Sequence, residues 1–277
     1  MKKITFLFVF LISLKTVFAQ QHSLVKLWES DTTFKVPESV CPDFKNKILY
    51  VSNIEGTQPW QADGKGSISK LGLDGKVIQQ EWIKGLNAPK GMAIYKNTLF
   101  VADLTEIIVI DIEKNAIKKK ITVPYAQGLN DITVDPNGIL YVSDTKAKRI
   151  YVVKNDNATP YIETGLQNPN GVLWYNAALY ILDKDLFYKV DFDRSLIKLA
   201  EGIQGSADGL NAVTPTEFIV SGWAGVLYYI YKDGTKETLL DTRKDQINTA
   251  DIAFDPIAKI IYVPTFFKNK VVAYQLK

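Results

Sequence analysis

The 277-residue chain contains one histidine and one cysteine, and these two scarcities exclude several kinds of chemistry. His22 lies close to the N-terminus, in a leader that we expect not to be anchored to the folded body. Without an imidazole in that body, a Ser-His-Asp triad, a Cys-His pair and a histidine-rich zinc site are all excluded. Cys41 has no partner for an internal disulfide, and in a predicted strand it is expected to be a small core residue rather than a nucleophile.

The sequence also lacks a strong charge imbalance and a long apolar run. The formal net charge is +3 and is spread along the chain without a basic cluster, which argues against a nucleic-acid partner. The apolar stretch at residues 6–14 is too short to cross a bilayer, because a spanning helix needs about 20 residues. We therefore expect neither nucleic-acid binding nor a membrane span.

The first 19 residues have the features of a secretory signal peptide. A basic start at Met1-Lys2-Lys3 is followed by the short apolar stretch and by Val17 and Ala19, which give the V-x-A spacing of a cleavage site. The alternative interpretation is a buried strand. The pattern predicts cleavage after Ala19, export to the periplasm or the medium, and one domain over residues 20–277.

An aliphatic-aromatic segment that ends in a small or acidic residue recurs six times along the chain. The copies are Leu49–Asn53, Leu99–Asp103, Leu140–Asp144, Leu179–Asp183, Glu217–Ser221 and Ile261–Thr265. Their aromatic residues are 38 to 50 positions apart, which is close to the length of one four-stranded propeller blade. Turn pairs such as Asn137-Gly138 lie where hairpins are expected, and no segment shows sustained helical periodicity. The pattern predicts an all-β fold, a six-bladed β-propeller of four-stranded blades.

The ends of the chain predict how this ring closes. The last repeat runs out after its third strand, at residues 271–276, while residues 24–28 form a strand with no repeat of their own. Pairing the two segments would remove two exposed sheet edges. We therefore expect the N-terminal strand to complete the last blade.

An insertion at residues 54–67 lengthens the first repeat between its second and third strands. Loops at this point of a blade open toward the mouth of the central channel. The insertion, which includes Trp60, is expected either to overhang the mouth and shape a ligand pocket or to be a disordered surface loop.

Aligning the first strands of the six repeats places one residue of each at the rim of the channel. In chain order these residues are Glu38, Lys90, Asn130, Asn170, Asp208 and Ala250. Four of them carry side-chain oxygens, and carboxylate and amide oxygens are the ligands that Ca²⁺, Mg²⁺ and Mn²⁺ prefer. A cation would also offset the cost of burying two carboxylates together. The alternative is that Asn170-Gly171 and Asp208-Gly209 are ordinary turn residues.

Four segments in different repeats resemble the SMP-30/gluconolactonase/LRE-like family, the regucalcin-like propellers. They are Pro37–Val40, Leu129–Gly138, Pro169–Val172 and Ala207–Leu210. The resemblance implies a divalent cation, most often Ca²⁺ with Mg²⁺, Mn²⁺ or Zn²⁺ as alternatives, held by Glu38, Asn170 and Asp208. It also implies substrate binding by Asn130 and a general-base role for Asp208.

Two positions qualify this resemblance. Sugar-lactone members of the family carry an arginine two residues before the Asn-Asp pair, and here that position is Gly128, which argues against gluconolactone itself. Lys90 either supplies a substitute cation for substrate binding or is a solvated lysine. Trp60 is the other candidate for substrate binding, and aromatic residues near the mouth favour a more apolar substrate unless they serve blade packing.

Two functions remain open from the sequence. The first is an exported, calcium-type lactone or ester hydrolase that acts as a monomer on a small-molecule substrate at the mouth of the channel. The second is a non-catalytic, NHL-like propeller that binds a small ligand or a protein there, because one propeller scaffold can serve either purpose.

Overall fold

The computed structural model describes residues 22–56 and 58–277, so the predicted signal peptide at residues 1–19 lies outside the described part of the chain. Its 24 strands form six four-stranded antiparallel sheets arranged as the blades of a β-propeller. Two short 3-10 helices, Arg243–Asp245 and Phe266–Lys268, are the helices within these residues. The predicted fold class is confirmed. No described helix has the length and apolarity that crossing a membrane would require.

The strands follow one another from the channel outward in each blade. Strand β1 (Leu24–Glu29) comes first, and blade 1 consists of β2 (Pro37–Asp43), β3 (Ile48–Asn53), β4 (Gly66–Gly72) and β5 (Val77–Leu86). Blade 2 consists of β6 (Pro89–Tyr95), β7 (Thr98–Asp103), β8 (Glu106–Asp111) and β9 (Ala116–Thr122). Blade 3 consists of β10 (Leu129–Val134), β11 (Leu140–Asp144), β12 (Arg149–Lys154) and β13 (Asn157–Ile162).

The remaining blades repeat this order. Blade 4 consists of β14 (Pro169–Tyr175), β15 (Ala178–Asp183), β16 (Leu186–Val190) and β17 (Leu196–Glu201). Blade 5 consists of β18 (Ala207–Thr214), β19 (Glu217–Gly222), β20 (Val226–Ile230) and β21 (Lys236–Asp241). Blade 6 consists of β22 (Ala253–Asp255), β23 (Ile260–Pro264), β24 (Val271–Leu276) and β1.

The ring closes through the pairing of β1 with β24. Leu24 lies opposite Leu276 and Glu29 lies opposite Val272, with one bulge between Lys26 and Trp28. The N-terminal strand thus completes the last blade, as the sequence predicts. This pairing satisfies the edge of β24 and ties the two ends of the chain together.

The apolar core consists of one cluster between each pair of neighbouring blades. Between blades 2 and 3, for example, Ile107 and Val109 pack against Leu140 and Tyr151. Five further clusters join the other neighbouring pairs in the same way. Cys41 belongs to one of them and is buried, and burial raises the pKa of its thiol, which agrees with its predicted role in the core.

Buried aspartates at the ends of second strands fix the chain just before the next inner strand. Asp103 accepts a hydrogen bond from the Ala88 backbone N–H (2.7 Å), and Asp144 accepts one from that of Gly128 (3.0 Å). Asp183 accepts one from Asn168 in the same way (2.5 Å). Each contact joins a blade to the loop that leads into its inner strand, so the residues at the channel mouth are held by the frame of the propeller.

Candidate functional site

The rim of the channel is built by the same position in five inner strands. Its residues stand second in β2, β6, β10, β14 and β18: Glu38, Lys90, Asn130, Asn170 and Asp208. In each of these five blades, the register between the first and second strands shifts next to the rim residue. Such bulges redirect a side chain out of the regular alternation. Ala250, the sixth rim residue, is buried in the segment that precedes β22.

Glycines after three of the rim residues let the inner strands approach one another closely. A Cβ on Gly171 would lie 2.2 Å from the Asp208 carbonyl oxygen, and a Cβ on Gly209 would lie 2.4 Å from the Ile252 nitrogen. A Cβ on Gly91 would lie 2.3 Å from Oδ1 of Asp131. The glycine of the Asn-Gly and Asp-Gly pairs is therefore required by crowding around the channel axis.

The predicted site residues form two polar pairs and one separate contact. Lys90 Nζ lies 3.7 Å from Glu38 Oε1, and the Asn170 amide donates to Asp208 Oδ1 at 2.8 Å. The Asn130 amide donates instead to Thr145 Oγ1 at 3.0 Å. In the order of the blades, Asn130 lies between the two pairs. Asn170 and Thr145 are partly exposed, so the mouth is open to solvent over blades 3 and 4.

The environment of Asp208 is dominated by burial and by other carboxylates. Only 3% of the residue is exposed, and burial raises its pKa well above the ordinary value. The charges of Glu38 and Asp251 raise the pKa further, whereas Lys90 and the hydrogen bond from Asn170 lower it. An ionised Asp208 therefore needs compensating positive charge at this end of the channel.

Lys90 is not a solvated lysine, which corrects that interpretation of the sequence. The residue is 2% exposed, and its ammonium group lies 4.4 Å from the centroid of the Trp60 ring. Burial lowers its pKa, while the carboxylates of Glu38 and Asp208 oppose that shift. Lys90 thus brings a buried positive charge to the rim, covered by the aromatic ring of the insertion.

A second tier of carboxylates, not predicted from the sequence, lies one residue further along the chain than two of the rim residues. Asp131 accepts hydrogen bonds from the backbone N–H groups of Ile132 and Val172, both at 2.7 Å. Asp251 accepts one from the Ser39 hydroxyl. Both carboxylates line a cavity of about 150 Å³ along the axis. The signal available in the sequence was their position immediately after the rim residues Asn130 and Ala250.

This tier predicts an unusual pH dependence for the cation-free protein. Burial and the charge of Glu38 raise the pKa of Asp251 to about 7, and burial together with Asp251 raises the pKa of Asp131. A carboxyl group with a raised pKa stabilises the fold below its unfolded-state pKa, and that contribution is lost as the pH rises through the folded-state value. In EDTA, we therefore expect Tm to be higher at pH 5 than at pH 8. Thermal melting between these values tests this, with Asp251→Asn expected to flatten the profile. A wild-type Tm that falls steadily from pH 8 to pH 5 would contradict it.

The other half of the mouth is apolar. A cluster contributed by blades 1, 2, 5 and 6 covers the rim there. Its members are Val36, Ile54, Trp60, Ala88, Leu104, Trp223, Ala250 and Phe266. The insertion after β3 supplies two of them, Ile54 and Trp60. The described residues of the insertion therefore overhang the mouth, which was the first of its two predicted arrangements. The site therefore combines a polar rim with an apolar wall.

Gly128, at the position of the family arginine, faces the inner side of this wall. A Cβ there would lie 2.8 Å from Lys146 Cγ and 2.9 Å from Trp60 Cζ3. Lys146 Nζ lies 4.8 Å from the centroid of the same ring. The space that a larger side chain would need is filled by Trp60 and Lys146.

Replacing Gly128 by arginine is therefore expected to lower stability by about 1–3 kcal/mol, the usual cost of overpacking. Thermal or chemical unfolding measures the loss. Adding Trp60→Ala to Gly128→Arg should recover most of it, because the tryptophan ring is the rigid obstacle. If Gly128→Arg lowered stability by the same amount in the wild type and in Trp60→Ala, the tryptophan ring would not be the cause of the loss.

His22 is anchored, contrary to the expectation of an unattached leader. Its Nδ1 lies 2.9 Å from Glu237 Oε2, and its ring stacks on Tyr229 with centroids 4.0 Å apart. These contacts are with β20 and β21 in the outer part of blade 5, and none of the contacts of His22 within the described residues is with the rim. The mouth itself has no imidazole.

Several observations bear on whether a divalent cation fits the rim. Oε2 of Glu38 is buried and has no hydrogen-bond partner among the described residues. The amide nitrogen of Asn170 makes the bond to Asp208, which leaves the amide oxygen available. Among the described residues of the two tiers, the carboxylates of Glu38, Asp131 and Asp208 are buried, and the ammonium group of Lys90 is buried with them. No group of three His, Cys, Asp or Glu side chains in residues 22–56 and 58–277 is arranged as a metal site, so the Asn170 amide would be a necessary ligand. The donors fit a hard cation, and Lys90 weakens its binding.

Comparisons with known proteins support the fold. No family model matches the sequence, and no curated protein matches it. A gluconolactonase-like protein of known structure aligns with a TM-score of 0.71 at 13% identity, covering 94% of each chain. A streptogramin B lyase aligns with a TM-score of 0.68 at 12% identity, covering 92% of this chain and 98% of the lyase.

A third similar structure is a catalytically inactive virginiamycin B lyase from Staphylococcus aureus with quinupristin. It aligns with a TM-score of 0.64 at 13% identity and covers 92% of this chain and 99% of its own. At these identities the similarity establishes a shared architecture and leaves activity to be argued from the site. The chain has the propeller fold of a group of structures that includes gluconolactonase-like proteins and streptogramin lyases.

Proposed function

We propose that the protein is an exported, divalent-metal-dependent hydrolase of small lactones or esters, with its reaction site at the channel mouth. The observation that carries the proposal is the unpartnered, buried Oε2 of Glu38 in a site that also holds Asp208 and Asn170. An unsatisfied carboxylate oxygen is costly to bury, and a cation would satisfy it.

Glu38, Asn170 and Asp208 would hold the cation, most often Ca²⁺ in sites of this kind. When bound, it supplies Lewis acidity toward a carbonyl oxygen and offsets the charge of the carboxylates. With that charge offset, Asp208 is ionised and able to act as a base despite its burial.

The residues of the chain then account for the hydrolysis. Asp208 takes a proton from a water molecule as the water oxygen attacks the carbonyl carbon, and it returns the proton to the leaving alkoxide when the ring or ester C–O bond breaks. Asn130, beside the open side of the mouth, is suited to orient the substrate carbonyl. Trp60 and the apolar wall exclude water from the opposite side and favour a substrate less polar than a sugar lactone.

Two features at the rim and the N-terminus complete the proposal. The positive charge of Lys90 is placed to stabilise the oxyanion that develops during attack. Export rests on the signal-peptide pattern of residues 1–19, and mass spectrometry of the protein from the periplasm or medium should find Gln20 as the first residue.

The test is a pH-stat assay of the purified protein on a panel of aliphatic, aromatic and sugar lactones, with EDTA and with added Ca²⁺. We expect hydrolysis of apolar lactones that EDTA abolishes and Ca²⁺ restores. Thermal melting in the same buffers measures binding separately, because a cation bound by the folded state raises Tm with concentration. A Ca²⁺-dependent Tm without hydrolysis of any substrate would overturn the hydrolase and favour a ligand-binding propeller.

A further inference from the structure

A second cavity opens on the mouth side of the propeller, between blades 5 and 6. Its volume is about 430 Å³, within the range of sites that hold a small organic molecule. The loop after β19, the turn after β21 and the 3-10 helix after β23 form its walls. None of the rim residues described above lines this cavity, and it shares one side chain, Trp223, with the apolar wall over the rim.

Two aromatic side chains form the apolar part of the cavity. Trp223 and Phe267 meet edge to face with ring centroids 6.2 Å apart. Phe266 packs behind both, 5.4 Å from Trp223 and 4.7 Å from Phe267, and is itself buried. Phe267 is nevertheless 52% exposed, which is a high fraction for a residue that an intramolecular aromatic cluster already holds in place.

The polar frame of the cavity is rigid. The Asn248 amide donates to the Trp223 carbonyl oxygen at 3.0 Å, and the Thr249 N–H donates to the same oxygen at 3.2 Å. On the other side of the cavity, the Thr242 hydroxyl donates to the Ile247 carbonyl at 2.7 Å and so closes the turn. A ligand would meet a preformed surface and lose little free energy in ordering it.

The charges that line the cavity are positive. Lys268 and Arg243 both contribute to its wall, and no carboxylate from the described part of the chain does. Arg243 is neutralised by Asp241, with Nε 2.8 Å from Oδ1, and its Nη1 donates to Gln204. Lys268 makes no ion pair with any residue in 22–56 or 58–277. The uncompensated charge of the cavity is therefore the ammonium group of Lys268, next to Phe267 in sequence.

We propose that this cavity binds an aromatic carboxylate. The aryl group packs in the angle between Trp223 and Phe267, and the carboxylate pairs with Lys268. Trp223 also belongs to the apolar wall over the rim, with Ala250 and Phe266, so the cavity and the channel mouth share one side chain. If the proposed function holds, the bound group is a distal part of the substrate, but the cavity as a binding site does not depend on that function.

The experiment is isothermal titration calorimetry of the full chain with 1-naphthoate, and with 1-naphthalenemethanol as its neutral analogue. We expect Phe267→Ala to weaken 1-naphthoate binding by about fivefold or more, because an aromatic pair is lost. Lys268→Gln should weaken it by a similar factor and leave binding of the neutral alcohol within about twofold, because it removes charge and not apolar surface.

Two matched controls use residues far from the mouth. Phe192 is fully exposed in the turn between β16 and β17, and Lys232 is exposed in the turn between β20 and β21. Phe192→Ala and Lys232→Gln should leave the affinity for 1-naphthoate unchanged. Since Phe267 and Lys268 are both exposed, their replacement is not expected to unfold the protein.

Three results would overturn the proposal. They are no measurable binding of 1-naphthoate at millimolar concentration, binding that both cavity variants retain, and binding of the neutral alcohol as tight as that of the carboxylate. Because the readout is binding, a protein that hydrolyses no lactone but binds 1-naphthoate through Phe267 and Lys268 would end the hydrolase proposal and support the cavity. A protein that hydrolyses lactones but does not bind 1-naphthoate would support the hydrolase proposal and end the cavity proposal.

Discussion

Replacing Asp208 by asparagine is expected to reduce kcat/KM for the best lactone substrate by about a thousandfold, within the range that general-base catalysis contributes. Asparagine keeps the size of the side chain and an oxygen, but it cannot accept the proton of the attacking water. It also removes one of the two carboxylates that would hold the cation. The effect should appear mainly in kcat, because the proton transfer is made in the transition state.

The same substitution should stabilise the cation-free protein. Burial and the charge of Glu38 make an ionised Asp208 unfavourable, so its removal relieves repulsion in the channel. We expect a Tm in EDTA that is higher for Asp208→Asn than for the wild type, and a Tm that no longer rises with Ca²⁺. Asp185→Asn, in the mouth-side turn after β15, is the control and should change neither quantity. Activity within about tenfold of the wild type would rule out Asp208 as the base.

Those features of the fold that depend on repetition could be predicted from the sequence. The six aromatic markers have a regular spacing because each lies in the second strand of a blade, and these strands are buried between neighbouring blades. The last repeat lacks a fourth strand, and an open ring would leave two unpaired sheet edges. The N-terminal strand could therefore be predicted to pair with β24. The rim residues could be aligned for the same reason, since the position is second in five inner strands.

The environment of individual side chains could not be read in this way. Lys90 looked like a solvated lysine because its burial depends on Trp60, which belongs to an insertion that the other blades lack. Asp131 and Asp251 received no role because a regular strand directs the residue after a rim position away from the channel. The bulge between Leu129 and Ile132 breaks that alternation at Asp131. Asp251 lies before β22 begins, where regular strand alternation does not apply.

The cavity between blades 5 and 6 could not be predicted from the sequence either. Phe267 and Arg243 are about 24 residues apart and lie in 3-10 helices of three residues each, which carry no periodic signal. Trp223 and Phe266 lie in loops of different blades, and their edge-to-face contact is a property of the closed ring. Local patterns define each blade, and contacts between loops of neighbouring blades define the sites.

Lys90→Met is expected to make the protein depend on divalent cations for its stability. Within residues 22–56 and 58–277, the ammonium group of Lys90 is the one positive charge within ion-pair distance of Glu38, and both side chains are buried. Removing one partner of a buried pair leaves the other uncompensated, which typically costs about 3–5 kcal/mol. In EDTA, we therefore expect a clear fall in Tm.

In Ca²⁺ the same variant should recover, and its affinity for the cation should exceed that of the wild type by at least about tenfold, because a like charge has been removed from a site of low dielectric. Titration of Tm against Ca²⁺ concentration measures both effects. Lys146→Met is the matched control, since Lys146 also lies over Trp60 but is exposed, and solvent screens its charge. If Lys90→Met were destabilised and Ca²⁺ failed to restore it, Glu38 would pair with the lysine alone, and the cation would have no place at the rim.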